Sequence, residues 1–144
     1  MKTKTIEQYD KTRHSSLIIA TIGWSIFFGC MILREQIAEG TIYQYAVYAG
    51  IVGFLLFLSS IYRLSGIKRA MKENPDIKSA LENEVFIANK HKSLIAGFWV
   101  LLASNAMSIF LLGAFTVDAR LLLEISCFAA VLTTLVSKIV LNSN

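Results

Sequence analysis

Ser104, Asn105 and Ser108 carry hydrogen-bonding groups inside a stretch, 93–117, that has no charged side chain. Residues three and four apart share a helix face, so these groups can bond across a helix contact or line a polar path. Asn105 is the most costly of them, because an amide in hydrocarbon needs partners. Ser126, Ala130, Thr133 and Ser137 recur at i, i+4, i+7 and i+11, and Ala46, Gly50 and Gly53 share another face. Small residues at such spacings let helices approach closely. The expected packing or polar-path residues are therefore Asn105, Ser104, Ser108, Thr133, Ser137, Gly50 and Gly53.

The charged candidates are few. Glu124 lies one helical turn after Arg120, so the two are expected to pair at a membrane interface, with Arg34 at the same level. Lys68, Arg69 and Lys72 form a basic group suited to anionic headgroups. His14 and His91 alone make an incomplete metal site. Cys30 and Cys127 form no C-x-x-C pair and are expected as packed free thiols. There is no nucleophile–base pair, metal cluster or phosphate loop, so neither an enzymatic role nor a cofactor is expected.

The elements that must hold these residues follow from the distribution of charge. The chain has 144 residues, 55% hydrophobic and only 17% charged. Windows 17–33, 40–62 and 93–117 carry no charge, and 121–141 carries only Glu124 and Lys138. About 20 apolar residues cross a hydrocarbon core of about 30 Å. Backbone groups in hydrocarbon must be satisfied internally, and no window alternates with period two, so the spans are expected to be helices rather than barrel strands. The predicted fold is an all-α membrane four-helix bundle in one domain, with spans at about 16–34, 42–63, 93–115 and 120–141. The first span is expected to be retained rather than cleaved as a signal peptide.

Orientation follows from Lys and Arg in short connections. The N-terminal tail, first loop, second loop, third turn and C-terminal end carry 4, 1, 7, 1 and 1 of them. This alternation predicts both termini and the 64–92 loop on the cytoplasmic side. The basic excess is read as topology and headgroup contact, with no nucleic-acid partner. Tyr43, Tyr45, Tyr48 and Tyr62 fall at the ends of span 2, where amphipathic rings settle. Trp24 falls mid-span, facing lipid or a neighbouring helix.

The 64–92 loop has helical patterning. Asn74-Pro75-Asp76 is a helix start: Asn74 can cap, Pro75 suits the first turn and Asp76 complements the positive end. Ile77, Leu81, Val85 and Ala88 then form one apolar face, and no breaker separates them from span 3. A single helix from Pro75 to about Phe115 is expected. Ser65-Gly66 is the weak point where span 2 could kink. Segment 67–73 is expected either to pack on 77–88 as a hairpin or to lie on the bilayer.

The stretch Arg69–Trp99 resembles that of uncharacterised small bacterial four-span proteins, in which an Asn-Pro turn precedes an Ala-Leu-x-(Asp/Asn)-Glu segment. Asn74, Pro75, Leu81, Asn83 and Glu84 are the matching positions. The resemblance implies a bacterial inner membrane and no assigned reaction. Asn83 departs from it, since an acidic residue is commoner there. The expected role is an accessory or assembly subunit, as a homo-oligomer or in a larger membrane complex; the alternatives are a small channel or transporter formed by an oligomer, and an immunity-type protein that sequesters a membrane toxin.

Overall fold

The computed structural model describes residues 2–37, 40–82 and 84–142. Glu39 and Asn83 lie outside the described residues, as do the side chains of Lys2, Lys4, Glu35 and Glu84. The described residues form five helices and no strand: α1 (Lys2–Gln36), α2 (Thr41–Glu73), α3 (Pro75–Leu81), α4 (Glu84–Ala114) and α5 (Ala119–Leu141). Four of these, all but α3, are long and apolar enough to cross a bilayer. That is the make-up of a multi-pass membrane protein.

The helices overrun the apolar windows that nucleate them. α1 begins 14 residues before residue 16, and α2 runs unbroken through Ser65-Gly66 to Glu73. The turn into α2 uses Gly40 at φ 128°, a conformation only glycine adopts readily. The turn into α5 closes on Asp118, whose side chain accepts from the Arg120 N–H at 2.9 Å and so caps the helix.

The single helix expected from Pro75 to Phe115 is instead two. Pro75 does start α3, but Asn74 makes no side-chain capping bond, and the helix ends at Leu81. Two contacts favour the break. Leu81 is buried, and its carbonyl accepts a hydrogen bond from Arg13 Nη1 at 2.9 Å. The apolar face is split as a result: Leu81 turns inward while Val85 and Ala88 are exposed. α3 packs against the ends of α2 and α1.

α1 packs tightly on α2, and α4 on α5; α1 also packs on α5, joining the two antiparallel pairs. The packing order is α2–α1–α5–α4, with α2 and α4 at its ends. The interior is unlike that of a water-soluble domain. Its fully buried side chains are serines: Ser16, Ser60, Ser93 and Ser126. Among the described residues, the buried hydrophobic ones are Leu17, Ala20, Ile67, Leu81 and Ala130, while many large ones point outward. A surface of this kind is stable against acyl chains, where apolar exposure costs nothing and close approach supplies the packing energy.

Candidate functional site

Two glycine contacts set the helix pairs. A Cβ on Gly23 would lie 2.7 Å from both the Gly53 carbonyl oxygen and the Phe57 nitrogen. One on Gly53 would lie 2.7 Å from the Phe27 nitrogen. The backbones of α1 and α2 therefore touch, and only glycine fits at either position. Gly50, one turn from Gly53, faces Cys30 across the same seam. Aromatic rings fill the space beside the contact: Trp24 lies 5.2 Å from Phe57, and Phe27 lies 5.2 Å from Phe54. Trp24 thus faces α2 rather than lipid alone, with its indole Nε1 buried and without a hydrogen-bond partner among the described residues.

The α4–α5 seam is built the same way. A Cβ on Gly97 would collide with Thr134 Oγ1 and lie 2.9 Å from the Ala130 carbonyl oxygen. The residue meeting Gly97 is Thr134, while its neighbour Thr133 is half-buried beside the seam, as is Ser137. Higher along the seam, Ser108 and Ser126 face each other with their hydroxyl oxygens 3.5 Å apart. Gly23, Gly97 and Thr134 were missing from the expected set. Ala20 lies three residues before Gly23 and Ser93 four before Gly97, so small-residue spacing on α1 and α4 was the signal that could have found both glycines.

The hydroxyls of Ser104, Ser108, Ser126 and Thr134 are already satisfied within their own helices. Ser104 Oγ donates to the Val100 carbonyl and Ser108 Oγ to the Ser104 carbonyl, both at 2.8 Å. Ser126 Oγ donates to Leu122 and Thr134 Oγ1 to Ala130, both at 2.9 Å. Such back-bonding turns a hydroxyl into a small, nearly apolar surface. Asn105 differs. It is half-buried, and its amide hydrogen-bonds to no described residue.

At the loop end, Arg120 Nε donates to Glu124 Oε1 at 3.0 Å. Glu124 is 20% exposed, and its Oε2 is buried without a hydrogen-bond partner among the described residues. Arg34 is exposed and lines a cleft of about 320 Å³ between α1 and α2, with Cys30, Met31 and Gly50. Cys30 and Cys127 are free thiols. Lys68, Arg69 and Lys72 are exposed on the last turns of α2, where Arg69 pairs with Glu73 at 3.2 Å.

At the end that carries both termini, directed bonds tie α1 to α3 and α4 to α5. Arg13, with a side chain 17% exposed, spans Asp10 Oδ1 at 2.6 Å and the Leu81 carbonyl, and sits 4.1 Å over the Phe86 ring. Asn89 Nδ2 donates to the Leu141 carbonyl at 2.6 Å, covering the end of α5. A cleft of about 560 Å³ opens between Arg13, Phe86, Asn89 and Leu141. No group of three potential metal ligands forms among the described residues.

The chain matches no protein-family model, and no curated protein or solved structure is detectably similar to it.

Proposed function

We propose that this protein is an accessory or assembly subunit of a bacterial inner membrane, non-enzymatic, and oligomeric or part of a larger membrane complex. Both termini and the α2–α4 connection face the cytoplasm in this reading, with Lys68, Arg69 and Lys72 on anionic headgroups. The basic residues of those segments support the orientation. The observation that carries the role is the division of surface in the bundle. Small residues are spent on contacts within the chain, and the outer faces of α2 and α4 keep their large apolar side chains, including Tyr48, Leu55, Phe98 and Ile109. A chain so arranged is equipped for helix–helix contact with further proteins. The channel reading has less support, because the seam hydroxyls of Ser104, Ser108 and Thr134 are bonded to their own helices.

Native mass spectrometry of the protein extracted from its own membrane tests this. Copies of the chain, or co-extracted partner subunits, are expected. A lone monomer that conducts ions or solute by itself in liposomes would overturn the assembly role.

A further inference from the structure

We propose that two copies of this chain pair along α4, with the Asn105 amides of the two protomers hydrogen-bonded to each other at the centre of a parallel seam. The inference rests on the assembly reading and names its partner: a second copy. Asn105 is the middle residue of the charge-free run 93–117, twelve residues from each end. At about 1.5 Å per residue it lies roughly 18 Å from either end, beyond the reach of water or headgroups. No described residue of its own chain hydrogen-bonds to the amide. α4 packs on α5 and stands at one end of the packing order, so a flank of it is open.

That flank has a regular pattern. Ile95, Phe98, Leu102, Asn105, Ile109 and Leu112 are separated by alternating steps of three and four. The five apolar members are all exposed, Ile109 at 74%. This is the spacing of a left-handed helix pair, and one polar residue at its centre fixes register. A second copy fits better than an unrelated helix for two reasons. Asparagine both donates and accepts, so it is its own complement. Copies inserted in the same sense also bring Asn105 to the same depth, and a two-fold axis along the membrane normal then sets the amides face to face.

The test uses the full chain in membranes, in a Cys30→Ala, Cys127→Ala background. Leu102→Cys and Ile109→Cys are each expected to give disulfide-linked dimers on mild oxidation. Ala103→Cys and Phe110→Cys, about 100° further round the helix, are expected to give little. Asn105→Leu, with cysteine positions unchanged, is expected to weaken dimerisation about tenfold, and Asn105→Gln to retain part of it. Equal cross-linking at all four positions, or an unaltered dimer in Asn105→Leu, overturns the α4 pairing. An oligomer by native mass with no cross-link at 102 or 109 overturns it while leaving the assembly reading intact. A monomer without partners overturns both.

Discussion

Arg13 Nη1 donates to the Leu81 carbonyl oxygen at 2.9 Å, across 68 positions of sequence. That bond takes up a carbonyl at the end of α3, where no intrahelical partner remains. The same guanidinium is held by Asp10 and lies over Phe86. One side chain of α1 therefore joins α3 and α4 on either side of their break.

Arg13→Ala is expected to free α3 while leaving the spans in place. Loss of a charged hydrogen bond of this type costs about 1.5–3 kcal/mol. Hydrogen exchange of backbone amides in 75–89 is expected to speed up by more than tenfold, with that of 93–114 unchanged. Unchanged protection in 75–89 would show that the bond does not hold the connector.

Gly53→Ala is expected to push α1 from α2, since the added carbon meets backbone at 2.7 Å and backbone cannot rotate away. Overpacking of this kind costs about 1–3 kcal/mol. Gly29→Ala and Gly113→Ala, where nothing lies within 4 Å, are expected to leave stability unchanged or raise it. Thermal unfolding in detergent separates the three variants. Equal behaviour would remove the glycine contact as the determinant of the pair.

Thr134 and Thr133 are adjacent but face differently. Thr134→Leu drives a larger side chain into Gly97, whereas Thr133→Leu does not meet that glycine. Thr134→Leu is expected to lower the melting temperature by several degrees, and Thr133→Leu to have a much smaller effect. The reverse ranking would mean that α5 is rotated on α4 relative to this structure.

Asp118→Ala removes the cap of α5 and is expected to cost about 1 kcal/mol. Glu124→Gln breaks an ion pair whose arginine is 66% exposed, and is expected to cost less than about 1 kcal/mol. Chemical denaturation of both variants gives the comparison. A larger loss from Glu124→Gln would assign the buried Oε2 a partner that the isolated chain does not supply.

Charge-free length alone determined the four long helices, because backbone in hydrocarbon has no alternative to helical bonding. Local chemistry also placed the start of α3 at Pro75 and the small-residue face of Gly50 and Gly53. Other features depended on which elements meet. Ala20 and Ser93, one turn earlier, mark a small-residue face at Gly23 and Gly97, but which backbone crosses each glycine is decided only by the packing. Nothing local distinguishes Thr134 from Thr133. The break between α3 and α4 carries no proline or glycine; it coincides with Arg13 and a buried Leu81 holding the end of α3, groups brought together only by the packing of α1. Sequence fixes what each segment must be in lipid, since that is set by solvation residue by residue. Pair choice and rotation are set by close contact between distant segments, which only the assembled structure decides.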